Sequence, residues 1–189
     1  MSAVQAPAVL RAPTLEDGPR IHELIAHCPP LDTNSRYCNL LQCHHFADTS
    51  IVATTAQTLI GAITGYCLPS APDTLFVWQV AVHPDYRGQG LAHAMLTHLL
   101  NRVRSRGVVQ LETTITLSNT GSWSLFKGVA RELAAPLDQH KLFDRERHLA
   151  GVCDSEYRVV LGPFDALPAT VGTTATFHSL ESLPKEFSQ

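Results

Sequence analysis

The segment 80–92 (VAVHPDYRGQGLA) joins an apolar stretch to a long helical pattern through a turn with two glycines. Gly88 and Gly90 permit backbone angles that other residues avoid, and they let a ligand approach the main chain closely. The helix that follows begins with unpaired amides at the positive end of its dipole. Such amides bind anions, and a diphosphate group fits a turn of this kind. Taken alone, a turn with two glycines is equally consistent with a purely structural role. The apolar strand before it and the amphipathic helix after it favour a binding site.

Period-two and β-branched patterns predict the strands that position this turn. Six strands are expected from these patterns, at residues 8–13, 50–56, 59–68, 74–83, 108–115 and 156–161. Residues 134–153 show no clear pattern and are predicted to be irregular.

Helical spacing predicts four helices. The first is expected to be capped by Thr14 and to end before Pro29, and the second carries Leu40 and Leu41. The third and clearest covers residues 89–106, and the fourth runs from about 119 to 133. Together the elements predict a mixed α/β sheet in a single domain at residues 1–162, with 163–189 as a loosely attached tail.

Composition excludes several classes of protein. The chain has 189 residues and a net charge of −3, with no basic block of the kind that binds nucleic acid non-specifically. Its apolar runs are about ten residues long, too short to span a bilayer, and residues 1–10 lack the pattern of a secretory signal. The five cysteines show no CxxC spacing, which predicts reduced thiols in a cytoplasmic protein.

Two motifs carry a resemblance to a known superfamily. The pattern R-x-x-G-x-A at Arg87, Gly90 and Ala92, and the segment 119–126 (NTGSWSLF) on the predicted fourth helix, resemble the acetyl-CoA elements of the GNAT superfamily of N-acetyltransferases. The resemblance implies acetyl-CoA as cosubstrate, no metal, and a mostly antiparallel central sheet flanked by helices. It also implies a set of cofactor-binding residues: Val80, Ala81, Val82, Arg87, Gly88, Gln89, Gly90, Leu91, Ala92, Asn119, Ser122 and Phe126.

One position departs from the superfamily pattern. Many relatives have a tyrosine where this chain has Phe126, and that tyrosine is proposed to protonate the leaving thiolate. Phe126 has no exchangeable proton. No general acid is therefore assigned.

A closer resemblance covers roughly residues 10–162. The segments 31–50, 72–92 and 111–115 are similar to the L-2,4-diaminobutyrate acetyltransferases, which act in ectoine synthesis. The first two segments lie largely outside the cofactor motif, so they are informative about the acceptor. The resemblance implies acetylation of the γ-amine and a homodimer. Alternatives are another N-acetyltransferase of the superfamily, acting on a polyamine, an aminoglycoside or a protein amine, or a non-catalytic acetyl-CoA-binding regulator.

Diaminobutyrate carries two ammonium groups and one carboxylate, so its site needs acidic side chains for the amines and a donor for the acid. The attacking amine must also lose a proton, which a carboxylate or a water chain can accept. The predicted substrate-binding residues are Asp32, Asn34, Tyr37, Trp78, Glu112 and Thr113, and the predicted catalytic residues are Glu112 and Glu156.

These residues also have plain structural interpretations. Asp32 is equally suited to cap the second helix, and Trp78 and Tyr37 to pack in a core or lie on the surface. Glu156 suits a solvent-facing strand position. Glu112 lies in a strand expected to be central, where a buried carboxylate needs a partner, and a substrate ammonium is one.

No metal site or covalent nucleophile is predicted. Cys38, Cys43, His44 and His45 are close in sequence, but their spacing matches no common zinc motif. Cys38, Cys43 and Cys153 have no recognisable base or orienting group. The sequence therefore favours direct attack in a ternary complex, with the acetyl carbonyl polarised by a backbone amide near Val80 or Val82.

Overall fold

The computed structural model describes residues 8–56, 58–165 and 175–177. Its centre is one eight-stranded sheet in the order β6-β7-β5-β4-β3-β2-β1-β8. The strands are β1 (Ala8–Arg11), β2 (Ile51–Thr55), β3 (Thr58–Leu68), β4 (Ala71–Val82), β5 (Gln110–Thr116), β6 (Leu137–Phe143), β7 (Glu156–Leu161) and β8 (Ala175–Phe177). β4 and β5 are parallel, and the other neighbouring pairs of the described sheet are antiparallel. The predicted mixed, mostly antiparallel sheet is confirmed.

Helices cover both faces of this sheet. They are α1 (Asp17–Ala26), α2 (Arg36–His45), α3 (Leu91–Arg104) and α4 (Thr120–Glu132). The buried stripe of α3 packs with Ile51 and Ile63, whereas the apolar side of α1 packs with Val52 and Ala62. Because adjacent strand residues point to opposite faces, α3 and α1 lie on opposite sides of the sheet.

The parallel pair β4–β5 separates part of the way along its length. Pairing runs from Thr74 with Gln110 to Val77 with Thr113 and then stops. β4 continues to Val82 beside β3, and β5 continues to Thr116 beside β7. The strands therefore diverge into a V-shaped cleft, and on the side of the cleft the backbone of β4 beyond Val77 has no strand partner among the described residues.

Several predicted boundaries were wrong. The stretch 134–153, predicted to be irregular, contains β6, whose mostly exposed residues at the sheet edge lack the apolar alternation of a half-buried strand. The first helix begins at Asp17 with Glu16 at its N-cap, and not with a cap at Thr14. Thr14 instead donates its amide and hydroxyl hydrogens to the Asp17 carboxylate, at 2.8 and 3.2 Å.

The described part of the segment predicted as a tail contacts the domain. Phe164 is buried, and its amide donates to the carbonyl of Val109 at 2.8 Å. Residues Ala175–Phe177 pair with β1. The rest of 163–189 lies outside the described residues. None of the helices that the structure describes combines the length and apolar character needed to cross a membrane.

Candidate active site

A cavity of about 390 Å³ is lined by the end of β4, beyond the point where β4 separates from β5. Three segments that are distant in sequence form it: the loop after α1, the end of β4 with the start of α3, and the start of α4. Its lining residues are Cys28, Pro29, Pro30, Leu31, Val80, Val82, Arg87, Ala92, Asn119, Gly121, Ser122 and Leu125. The cavity therefore brings together residues from both cofactor motifs of the sequence.

The start of α3 has the geometry of an anion site. Gly90 adopts a left-handed conformation with φ of 75°, and Gly88 has φ of 73° with no atom within 4 Å of the position a Cβ would occupy. No side chain caps the helix, and the Ala94 amide bonds the Gly90 carbonyl at 2.9 Å. The amides before Ala94 have no intrahelical partner, so they are available to an anion beside Arg87.

Side chains of the turn fix its shape. The Nε of Arg87 donates to the carbonyl of Val82 at 3.0 Å, and the Nε2 of Gln89 donates to the carbonyl of Asp85 at 3.0 Å. On the facing helix, Asn119 caps α4 by accepting from the Ser122 amide at 3.0 Å. Both helix starts are thus directed at one cavity.

Six residues of the predicted cofactor set are not among the lining residues: Gly88, Gln89 and Gly90 lie in the turn, and Ala81, Leu91 and Phe126 lie in the core. Ala81 packs among the residues of α1, and Leu91 and Phe126 belong to the cluster beneath α3 and α4. Phe126 is 1% exposed, which leaves its ring no position at the reacting groups.

A second cavity, of about 730 Å³, adjoins the first. Pro30, Leu31 and Asn119 line both cavities. The other lining residues are Asp32, Asn34, Tyr66, Phe76, Trp78, Gln79, Thr114, Ile115, Thr116, Ser118, Phe143, Cys153, Asp154 and Glu156. Among the predicted substrate and catalytic residues, Asp32, Asn34, Trp78 and Glu156 are brought together here.

The second cavity is negatively charged, and two of its carboxylates lack a cationic partner. Asp154 pairs with Arg145 at 3.2 Å. Within the part of the chain that the structure describes, neither Asp32 nor Glu156 has a cation within ion-pair distance. No lysine or arginine is among the described residues that line the cavity. Two unpaired carboxylates in one cavity favour a ligand that carries two positive charges.

Aromatic rings form one wall of this cavity. Tyr66 lies between Phe76 and Trp78, with ring centroids 5.3 and 6.2 Å apart. A β-bulge shapes the wall: Val77 pairs with Gly65 and Gln79 with Thr64, so Trp78 is the extra residue of β4. Because of the bulge, the consecutive residues Trp78 and Gln79 both line the cavity.

Glu112 is not in the cavity lining, contrary to the prediction. It is 7% exposed, and its carboxylate pairs with the guanidinium of Arg158 at 2.5 Å across β5 and β7. The hydrogen bond with Glu112 raises the pKa of Arg158 above its ordinary value. The buried carboxylate does have a partner, but Arg158 supplies it where a substrate ammonium was expected.

Thr113 and Tyr37 also lie outside the cavity lining. The hydroxyl of buried Thr113 donates to the carbonyl of Val77 at 2.9 Å. Tyr37 is 69% exposed on the surface of α2. The alternative in which Asp32 caps α2 is wrong, because Ser35 occupies the N-cap and accepts from the Cys38 amide at 3.1 Å.

Sequence reasoning missed Gln79, Tyr66, Phe76 and Asp154. Phe76 and Tyr66 follow from the alternation of β4 and β3 once Trp78 is placed in the cavity. Gln79 has no such signal, because the bulge that turns it inward depends on cross-strand pairing. Asp154 lies between the stretch 134–153, predicted to be irregular, and the strand predicted at 156–161.

The cysteines are poorly suited to nucleophilic catalysis. All five are free thiols, and burial raises the pKa of Cys43 to about 11. Cys153 lines the second cavity, and no hydrogen bond from its thiol to a base is present among the described residues. Those residues also contain no group of three or more His, Cys, Asp or Glu side chains arranged to hold a metal ion.

Comparison with known proteins places this geometry in a family. Residues 19–130 match the acetyltransferase (GNAT) family. The L-2,4-diaminobutyric acid acetyltransferase of Methylotuvimicrobium alcaliphilum is 48% identical over 160 residues, covering 85% of this chain and 93% of the relative. The enzyme of the same name from Vibrio cholerae is 48% identical over 151 residues, covering 80% and 87%.

A solved structure matches in three dimensions as well. The diaminobutyrate acetyltransferase of Paenibacillus lautus, in complex with its substrate L-2,4-diaminobutyric acid and coenzyme A, superposes with a TM-score of 0.80 at 40% identity. The match covers 83% of this chain and 95% of that one. This chain is therefore a member of the GNAT family of acetyltransferases and, within it, of the L-2,4-diaminobutyric acid acetyltransferase family.

Proposed function

We propose that the protein transfers the acetyl group of acetyl-CoA to the γ-amine of L-2,4-diaminobutyrate, the acetylation step of ectoine synthesis. The observation that carries the proposal is the junction of the two cavities. One cavity has helix-start amides for a diphosphate, and the adjoining one has two unpaired carboxylates for a diamine. The Paenibacillus lautus enzyme, which binds this acid and coenzyme A, supports the choice of substrates.

The first cavity suits coenzyme A. The amides at the start of α3, with Arg87 and the open space beside Gly88, would hold the diphosphate. The unpaired edge of β4, from Trp78 to Val82, would pair with the pantetheine arm. Acetyl-CoA supplies an acetyl group activated as a thioester, and a β4 amide near Val80 or Val82 would polarise its carbonyl.

The second cavity suits the diamine. Asp32 and Glu156 would hold the two nitrogen atoms, and the aromatic wall would contact the short carbon chain. Asn34, Asn119 and Thr114 offer neutral donors for the substrate carboxylate. Confinement at the junction would bring the γ-amine to the thioester without a covalent link to the protein.

Glu156 is the carboxylate that we propose as proton acceptor, directly or through water. It lines the cavity and has no ion-pair partner among the described residues, whereas Glu112 is already paired with Arg158. A covalent acyl-enzyme is disfavoured because Cys43 lines neither cavity, and because the Cys153 thiol has no hydrogen bond to a base among the described residues. Thiolate is a tolerable leaving group, and no residue is assigned as general acid.

We also propose that the enzyme works in the cytoplasm as a homodimer. The five free cysteines support a reducing compartment. The dimer follows from the family resemblance, and size-exclusion chromatography with light scattering would test it.

A panel of amines tests the acceptor assignment. Purified protein with acetyl-CoA should release free thiol on addition of diaminobutyrate, and far less with ornithine or spermidine. Equal rates across the panel would contradict diaminobutyrate as the acceptor and favour a general amine acetyltransferase.

A further inference from the structure

Asp32 lies in a loop, although the proposed chemistry needs its carboxylate to be held in place. The segment 32–35 connects α1 to α2 and has no regular secondary structure. If the loop let this carboxylate shift by about 1 Å, the bound amine would be misplaced relative to the thioester. Some other contact must fix this segment.

Gln79 makes that contact from β4. Its Nε2 donates to the backbone carbonyl of Asp32 at 2.7 Å, and its Oε1 accepts from the Nδ2 of Asn34 at 3.0 Å. Gln79 is 8% exposed, and both bonds are partly buried. One amide side chain thus binds the loop at two points, on either side of Thr33.

The same strand also holds the other end of this connection. The Cys28 thiol donates to the carbonyl of Val82 at 3.3 Å. β4 therefore anchors the α1–α2 connection at Val82 and at Gln79, and between these two positions lies Val80, which lines the first cavity. The backbone of β4 fixes the distance between the loop and the proposed thioester site.

We infer that Gln79 is a positioning residue that sets the Asp32–Asn34 segment against the cofactor-facing part of β4, and so places the acceptor amine. This inference rests on the proposed function. The bulge at Trp78 makes the arrangement possible, since unbroken alternation would direct Trp78 and Gln79 to opposite faces. Gln79 acts through Asp32 and Asn34 and is not assigned a contact with the reacting atoms.

Two variants of Gln79 and one matched control test the inference. Gln79→Leu keeps much of the volume and removes both bonds, whereas Gln79→Glu keeps an acceptor for Asn34 and loses the donor to Asp32. Gln42→Leu is the control: Gln42 is a buried glutamine on α2 that accepts from Asn39 at 3.0 Å and does not line the acceptor cavity. Its replacement should change thermal stability without changing either KM.

Gln79→Leu should raise the KM for diaminobutyrate about tenfold, the scale of two net hydrogen bonds. Gln79→Glu should raise it less, because the bond from Asn34 remains, and both variants should leave the KM for acetyl-CoA within about twofold. Combining Gln79→Leu with Asp32→Asn should cost little beyond Asp32→Asn alone, because both changes act through one carboxylate. Amide hydrogen exchange at residues 31–35 should be faster in Gln79→Leu and unchanged in Gln42→Leu.

Three results would overturn the inference while the wild-type protein still acetylates diaminobutyrate. They are an unchanged KM for diaminobutyrate in Gln79→Leu, an equal rise in the KM values for diaminobutyrate and acetyl-CoA, and fully multiplicative effects when Gln79→Leu is combined with Asp32→Asn. Absence of diaminobutyrate turnover by the wild-type protein would instead overturn the proposed function, and this inference with it.

Discussion

The hydroxyl of Thr113 donates a hydrogen bond to the carbonyl of Val77, 2.9 Å away, at the last paired position of β4 and β5. Beyond this pair the strands diverge. The bond therefore lies at the vertex of the cleft that holds the proposed coenzyme site. Both Thr113 and Val77 are buried.

Replacing Thr113 by valine should weaken this vertex. Thr113→Val keeps the shape and removes the donor, which should lower the free energy of unfolding by about 1–2 kcal/mol and raise the KM for acetyl-CoA modestly. Thr64→Val is the matched control, because the buried Thr64 hydroxyl has no hydrogen-bond partner among the described residues. Denaturant unfolding should show Thr64→Val neutral or stabilising. An equal decrease in the free energy of unfolding in Thr113→Val and Thr64→Val would show that the Thr113 hydrogen bond has no special role.

Asp32 and Glu156 should affect the acceptor and not the coenzyme. Asp32→Asn and Glu156→Gln each remove a charge for an ammonium, so each should raise the KM for diaminobutyrate or lower turnover, by about tenfold or more. Calorimetry should show little change in coenzyme A affinity. Unaltered kinetics in both variants would remove these residues from the site.

Glu112→Gln should affect stability more than substrate binding, because the Glu112 carboxylate is paired with Arg158. This change leaves the guanidinium without its carboxylate in a partly buried position, and the free energy of unfolding should fall by about 1–3 kcal/mol. The KM for diaminobutyrate should change less than in the Asp32 variant. If Glu112→Gln instead impaired diaminobutyrate acetylation and left the free energy of unfolding unchanged, Glu112 would be supported as a catalytic residue.

The space beside Gly88 should be needed for the coenzyme. Gly88 and Gly107 both have positive φ, of 73° and 92°, and neither has an atom within 4 Å of a Cβ position. Alanine at either position should therefore cost a similar backbone strain, about 1 kcal/mol. Only Gly88→Ala should raise the KM for acetyl-CoA, because only that Cβ enters the space proposed for the diphosphate. A similar KM for acetyl-CoA in Gly88→Ala and Gly107→Ala would show that the diphosphate does not bind beside Gly88.

The Arg11–Asp17 pair should make stability depend on acid pH. Burial of Asp17 opposes its ionisation, but hydrogen bonds from Arg11 and Thr14 outweigh burial and hold the pKa below its ordinary value of 3.8. Since folding lowers this pKa, the ionised group stabilises the protein above pH 3.8, and this contribution disappears as the pH falls through the folded pKa.

Asp17→Asn should therefore lower the free energy of unfolding by about 2 kcal/mol at pH 7, and the difference from wild type should shrink as the pH falls below 3.8. Asp48→Asn is the control, because Asp48 pairs with Arg106 on the surface and such pairs contribute about 0–1 kcal/mol. A difference for Asp17→Asn that is independent of pH would contradict the ionic origin of the effect.

Much of the fold follows from local patterns, and the parts that do not are set by pairing between distant strands. α3 could be predicted because its apolar residues recur at helical spacing, although the predicted range 89–106 extends two residues beyond Leu91–Arg104 at each end. β6 could not, because an exposed edge strand needs no apolar alternation.

The same limit applies to the site. Asp32, Asn34, Trp78 and Glu156 were predicted from residue chemistry and family resemblance, and the structure places them around one cavity. The pairing of Glu112 could not be predicted, because Arg158 lies 46 residues away and the register of β5 against β7 cannot be read from sequence. The inward turn of Gln79 depends on a bulge, which only the pairing of β3 with β4 reveals.

The most direct test of the central claim is to identify the product. Purified protein incubated with acetyl-CoA and L-2,4-diaminobutyrate should yield one monoacetylated product, and NMR should place the acetyl group on the γ-nitrogen with the α-amine free. Acetylation at the α-nitrogen, or no acetylated product at saturating substrates, would contradict the account.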